Sequence, residues 1–225
     1  MSEVEEYLEQ CWFMASRVLD DVKESVRLAG FACCKTLSSL TIKLCDPTGN
    51  LEAGTKAMKI MVPFLLQRGI TSEAEDVRAV MLDLLFKITR QSGVLLKPYV
   101  AEIIHTLLES LSSMEPQVLN YLAFHVEKSG YSQEQFENTR LAATRNSPMM
   151  TSIEACLDQI DATLMEEVIP NVLQVIRKGV GLPTRAGCAR VVSALAYKLP
   201  GEIKPHAPAL IKGPFYTYIS FLFLV

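Results

Sequence analysis

A segment that occurs three times constrains this chain more than any other feature in it. Arg27, Arg78 and Arg185 each open an apolar, helix-like stretch, and a proline follows each at twenty residues: Pro47, Pro98 and Pro205. Aligned without gaps, the copies share apolar columns. One step after the arginine stand Leu28, Ala79 and Ala186; six and seven steps after it stand Cys33/Cys34, Leu84/Leu85 and Val191/Val192. Ten steps after it come Leu37, Ile88 and Leu195, and eighteen steps after it Cys45, Leu96 and Ile203. Self-similarity at this period means a row of like units, each burying its apolar face against its neighbours. Such rows present extended binding surfaces rather than one reactive pocket.

The periodicity within each unit is helical. Residues 3–17 carry Val4, Tyr7/Leu8, Cys11/Trp12 and Ala15 at helical spacing, and Asp20-Asp21 is a turn and N-cap signal before a second helix from Val22 to Leu44. Turn formers fill Asp46 to Asn50. The next helices are predicted over 57–68, with Pro63 as a kink, and from Thr71-Ser72-Glu73 to Gln91. Lys97-Pro98, Glu115-Pro116 and Ser147-Pro148 each place a proline in a first helical turn, where its missing N–H costs nothing. The helices they open run to Leu111, Val126 and Ile160. Residues 129–146 are polar and read as an insertion holding one helix, 132–144. Leu164 to Lys178 follows with Pro170 inside, Gly179 and Gly181 break the chain, and Ile203-Lys204-Pro205 opens a last, curtailed helix. The first two arginines are 51 residues apart and the second and third 107, so the larger interval holds two repeats, one of them degenerate and carrying the insertion. Two helices per unit at such a period is the HEAT/armadillo range, and no segment alternates at period two.

Composition fits a folded helical binder. Apolar residues make up 49% and charged residues 21%, which excludes wholesale disorder; the net charge of −3 and the lack of a basic stripe disfavour a nucleic-acid surface. Cys11, Cys33, Cys34, Cys45, Cys156 and Cys188 show neither C-x-x-C nor framework spacing and fall mostly at apolar helical positions, as buried free thiols of a cytosolic or nuclear protein do. The N-terminus is acidic and has no apolar signal core. From Gly213 the composition changes: Phe215 to Val225 is aromatic, uncharged and β-prone, but at eleven residues too short to span a bilayer as a helix. It reads as a divergent, altered end to the helical region, with a membrane anchor as the rival reading.

No catalytic constellation stands out. His105, His125 and His206 share no metal-ligand spacing with the cysteines, Gly179-x-Gly181 lacks the strand and spacing of a phosphate loop, and no Gly-x-Ser-x-Gly elbow occurs. Cys33 and Cys34 point different ways on one helix, so they are expected to be buried thiols rather than a redox pair. Trp12 lies on the apolar face of the first helix, as core or as a surface for an upstream repeat. Ser147-Pro148 reads as helix-start chemistry ahead of a proline-directed phosphorylation site.

Several strings resemble a known family in the same order. Cys11-Trp12-Phe13-Met14-Ala15-Ser16-Arg17-Val18-Leu19-Asp20-Asp21-Val22-Lys23-Glu24-Ser25-Val26-Arg27 is one; Leu107 to Leu111 and Glu115 to Leu122 are others, with Ser147-Pro148-Met149-Met150 and Gly179-Val180-Gly181-Leu182. They resemble the large proteasome adaptor and scaffold family, over about residues 8 to 212. The resemblance implies an all-α, HEAT-like α-solenoid, a right-handed superhelix of antiparallel helix pairs with about 4–5 repeats. Residues 1–212 would form it and 213–225 the divergent tail. It implies a fragment or short isoform of a non-catalytic scaffold that binds the 26S proteasome, helps hold core and regulatory particles together, and links proteasomes to other cell components. The expected setting is cytoplasm and nucleus, with peripheral association with endoplasmic reticulum or endosomes through partners, no cofactor, no nucleic acid and no integral membrane span. It also implies that the arginine column meets acids in neighbouring turns and locks repeat to repeat. Asp20/Asp21 and Glu75/Asp76 are placed to serve Arg27 and Arg78, while the turn before Arg185 offers none. A karyopherin-like HEAT transport receptor is the alternative; acidic inner loops would favour it, and the chain has no long acidic run.

Overall fold

The computed structural model describes residues 3–113, 132–179 and 181–211, and every regular element among them is helical. The expected helix over 116–126, His125 and the tail from Gly213 lie outside the described residues. The chain divides into two compact units, residues 1–99 and 100–225.

The first unit holds α1 (Glu3–Leu19), α2 (Glu24–Leu44), α3 (Leu51–Phe64) and α4 (Glu75–Gln91). Helix α1 packs along α2 as one antiparallel hairpin, and this hairpin stacks on the next through α1 against α3 and α2 against α4. Leu8, Trp12, Ala15 and Leu19 repeat at helical spacing and are all buried, which fixes the inner face of α1. Trp12 is fully buried, and its indole Nε1 donates to Thr41 Oγ1 on α2 at 2.9 Å. That settles its place in the core. Thr41 in turn donates to Leu37 O, so the polar pair is satisfied inside the hairpin.

Local chemistry sets the helix ends. Asp21 Oδ1 accepts from Lys23 N at 2.8 Å, an Asx turn ahead of α2 rather than a cap on it. Helix α3 begins six residues before the apolar run predicts, because Asn50 Oδ1 caps it by accepting from Ala53 N at 3.1 Å. Beyond Pro63 the helix continues into a π-helical turn, Leu65–Gly69, where Ile70 N donates to Leu65 O. After α4, Gly93 adopts φ +47°, a left-handed conformation that favours glycine, and a 3₁₀ turn, Gly93–Tyr99, carries Pro98.

The second unit contains α5 (Val100–Ser110), α6 (Gln133–Arg145), α7 (Pro148–Asp158), α8 (Ala162–Lys178) and α9 (Leu182–Lys198), then short α10 (Pro200–Ile203) and α11 (Ala207–Ile211) around a 3₁₀ turn with Pro205. Helix α5 runs beside α8, and α7 packs on both α5 and α9. The pairs α5/α7 and α8/α9 therefore repeat the hairpin stacking of the first unit, with the polar segment inserted at the turn of the α5/α7 hairpin. Its described helix, α6, opens with a capping box. Ser132 Oγ accepts from Gln135 N, and Gln135 Oε1 accepts from Ser132 N. The helix then lies on α9 and α7, with Phe136 buried. Ser147 Oγ accepts from Met150 N with Pro148 at the first position of α7, and Asp161 Oδ1 accepts from Thr163 N and Leu164 N to start α8. This is an all-α array of HEAT-type hairpins.

Candidate functional site

The arginine column occupies one structural position. Arg27, Arg78 and Arg185 are each the fourth residue of the second helix of a hairpin. In α4 the Arg78 Nη1 donates to Ser72 O at 2.7 Å and Glu73 O at 2.6 Å. In α2 the Arg27 Nη1 donates to Asp21 O at 3.0 Å and Val22 O at 3.2 Å. The offsets are identical, six and five residues back. Each guanidinium folds over its own first turn and holds the carbonyls of the loop that joins the hairpin's helices. A planar fork of donors suits two neighbouring carbonyls better than an ammonium does.

The acids flanking the column do less than their positions suggest. Asp21 gives the arginine its backbone carbonyl while its carboxylate accepts from Lys23 N in the Asx turn. Asp76, from the next hairpin, sits 3.8 Å from Arg27 Nε, a partly exposed ion pair worth about 0–1 kcal/mol. Arg185 differs: its Nε is buried and has no hydrogen-bond partner among the described residues. At the fourth position of α7 the chain has Thr151 in place of arginine, and its hydroxyl donates to Ser147 O. Of the prolines, Pro98 and Pro205 stand in 3₁₀ turns and Pro47 in the turn before α3.

The columns divide by burial. Cys45, Leu96 and Ile203 are all buried, as are Leu84, Leu85, Ile88, Val191 and Leu195. The column directly after the arginine is not core: Leu28 is 61% exposed and Ala79 is exposed. Cys33 and Cys11 are exposed too, contrary to the expectation of buried thiols, whereas Cys34, Cys45, Cys156 and Cys188 are buried. Burial pushes the Cys45, Cys156 and Cys188 thiols up to about 12, and burial with the neighbouring Cys33 pushes Cys34 up to about 11. These four are space-filling groups held as thiols.

In the second unit polar ties join the hairpins, and sequence reasoning missed them because they link residues 36 to 76 apart. Arg190 Nε and Nη2 both reach Glu154 Oε1, at 2.7 and 2.6 Å, from α9 to α7. Lys198 Nζ donates to Leu157 O and Asp158 O, carbonyls at the end of α7. Thr184 Oγ1 donates to Leu108 O at 3.0 Å, while Ser112 Oγ lies 2.8 Å from Thr184 Oγ1 and accepts from Thr184 N. Gly187 permits close approach here, since a Cβ would stand 2.4 Å from Leu111 Cδ1. His105 is half-buried between Asn171 O and Glu109, and His206 is half-buried beside Pro205.

A groove of about 710 Å³ runs between α2 and α4, with Phe31, Ile42 and Val80 in its lining and Lys35, Asp83 and Lys87 among the polar groups. Among the described residues no group of three or more histidine, cysteine or acidic side chains is placed to hold a metal ion. No described helix is long and apolar enough to cross a membrane.

Residues 96–216 match the family model of the HEAT-repeat domain of the proteasome adapter and scaffold protein ECM29. The chain is 38% identical over 213 residues to the human proteasome adapter and scaffold protein ECM29, covering 95% of this chain and 11% of that protein. It is 32% identical over 205 residues to the proteasome component ECM29 of Saccharomyces cerevisiae, covering 89% of this chain and 11% of that one. It is 31% identical over 212 residues to the proteasome component ecm29 of Schizosaccharomyces pombe, covering 92% and 13%. The chain thus spans about a ninth of the length of the curated relatives it matches. No solved structure matches it.

Proposed function

The chain belongs to the ECM29 family of proteasome adapter and scaffold proteins, and from that membership we propose that it is a non-catalytic segment of a scaffold that binds the 26S proteasome. In this reading the hairpin array helps to hold core and regulatory particles together and links proteasomes to other components of cytoplasm and nucleus. The family match over residues 96–216, laid on stacked hairpins, is the observation that carries it. The arginine column serves as the array's internal pin: Arg27 and Arg78 fix the loops of their hairpins, and Arg27 also reaches Asp76 of the next. Affinity in a repeat array is spread over many units, so a segment of this length retains part of the whole scaffold's hold.

The test is a pull-down of the chain with purified 26S proteasome across a salt series, beside a karyopherin-type GTPase as the competing partner. The expected outcome is weak, salt-sensitive proteasome binding without peptidase, ATPase or ligase activity. Binding to the GTPase and not to the proteasome would overturn the assignment.

A further inference from the structure

The seam between stacked hairpins is tied in one unit and open in the other, at matching positions of the repeat. In the second unit α9 reaches across to α7: Arg190, five steps after Arg185, meets Glu154, and Lys198, thirteen steps after it, holds Leu157 O and Asp158 O. The same steps after Arg78 in α4 are Asp83 and Gln91. Asp83 pairs with Lys87, one turn on in its own helix, and among the described residues neither side chain bonds to α2. Ser38, Ser39 and Ala79, which line this seam, are too small to fill it. Where the second unit has cross-links, the first has the groove of about 710 Å³.

Shape and charge define what fits there. Phe31 and Ile42 lie eleven residues apart on α2, about 16 Å or three helical turns, and with Val80 they give the groove its apolar lining. Both walls belong to hairpins described in full, and the lining is on the side of α2 opposite Leu40, which stands half a rotation from Phe31. The walls are helices whose backbone groups are already bonded along α2 and α4, so an extended peptide finds no ladder to join. A helix brings its own backbone bonds and offers side chains alone. Three charges line the groove. Asp83 and Lys87 neutralise each other, and Arg27 and Asp76 do so across its loop end, where Lys23, Glu24 and Glu75 are exposed beyond them. Lys35 is exposed on the α2 wall and has no partner among the described residues. Lys43 and Arg90, beside the lining toward the far end, are exposed too, while the Asp46 carboxylate there is engaged by Thr48. Away from the loop end, the unpaired surplus is positive.

We propose that the groove between α2 and α4 docks an amphipathic helix of a partner protein. The docked helix is about three turns long, with apolar side chains at i, i+4 and i+7 in the groove and an acidic flank against Lys35. This goes beyond the proteasome reading and stands apart from it, since its test uses no proteasome.

The probe is a phage-displayed library of helical peptides of about four turns, selected on the full chain. Recovered peptides carry the i, i+4, i+7 apolar stripe with aspartate or glutamate beside it. The leading peptide, labelled with fluorescein, is then titrated by anisotropy against variants of the chain. Ala79→Trp and Ser39→Trp fill the groove from opposite walls, and both positions are exposed, so circular dichroism is expected to show unchanged helix content. Each weakens binding about tenfold or more. Lys35→Glu weakens it by about three- to tenfold, and a peptide with its acids replaced by lysine regains that loss on the Lys35→Glu variant. Recovery of no binder, or of binders lacking the stripe or the acids, overturns the proposal. So does binding that survives both tryptophan variants, or a Lys35→Glu loss that the lysine peptide fails to reverse.

Discussion

Replacing Arg78 by alanine isolates the pin that the array repeats. Arg78 Nη1 makes two short bonds to Ser72 O and Glu73 O across the loop between α3 and α4, and no carboxylate takes part in them. Hydrogen bonds from a charged donor contribute about 1.5–3 kcal/mol each when desolvated. Arg78 is only half-buried and Glu73 is exposed, so water replaces part of what is lost. A combined cost of about 2 kcal/mol follows. With a urea m-value of about 1–3 kcal/mol/M, the transition reporting the first unit shifts down by about 1 M.

Urea melts of the full chain, paired with hydrogen exchange on peptides covering residues 70–80, read this directly. The exchange arm ties the loss to the loop rather than to general loosening. Lysine at 78 recovers only part of the effect, because an ammonium on a flexible stem lacks the fork that spans two carbonyls. Arg185→Ala is expected to cost less, since the Arg185 Nε has no partner to lose among the described residues. A shift for Arg78→Ala below about 0.3 M, or full rescue by lysine, would refute the pin.

The other predictions concern packing, caps and thiols. Gly187→Ala forces a Cβ against Leu111 and Leu108 and is expected to destabilise the second unit by about 1–3 kcal/mol, read as an earlier unfolding transition of that unit in urea. Ser147→Ala removes the cap on Met150 N and costs about 1 kcal/mol, with faster amide exchange at the start of α7 as its local signature. In stability measurements against pH, the four buried thiols act in one direction. Their folded pKa values, about 11 for Cys34 and about 12 for the others, exceed the ordinary 9.0, so their contribution is complete below pH 9 and is lost as pH rises toward 12. Replacing Cys156 by alanine or valine should flatten that alkaline decline.

The helices and their stacking were legible because they rest on local chemistry and periodicity. Pro98, Pro148 and Pro205 each stand at or just before a helix start, the Trp12 stripe is core, and Ser132 opens the helix inside the polar insertion as its composition predicts. Helix α3 began earlier than expected because Glu52, Gly54 and Thr55 hide its first turn from a search for apolar spacing, while the cap at Asn50 is a side-chain event. Leu28 looked like core because a column of apolar residues was aligned by step number. In the structure that step turns outward, and one residue type can hold one column position on a surface as readily as in a core.

The arginine column shows where sequence reasoning stops. A search for its partners among side chains finds acids, since only side chains differ along a sequence. The partners Arg27 and Arg78 take at shortest range are backbone carbonyls, present at every residue and so invisible to any scan for charge complementarity. The signal that was available is the spacing. An arginine at the fourth position of a helix stands one turn above the loop that feeds it, with a side chain long enough to reach back five or six residues. This explains how the first two copies share one geometry although their flanking acids differ, with Asp21 beside one and Glu73 beside the other. It also locates what the acids add. Asp76 ties Arg27 to the following hairpin at 3.8 Å, so the double-mutant coupling between Arg27 and Asp76 is expected to be well below the cost of losing the loop carbonyls, about 0.5 kcal/mol or less. A coupling as large as the Arg27→Ala effect itself would return the weight to the ion pair and make the column a ladder between repeats rather than a pin within each.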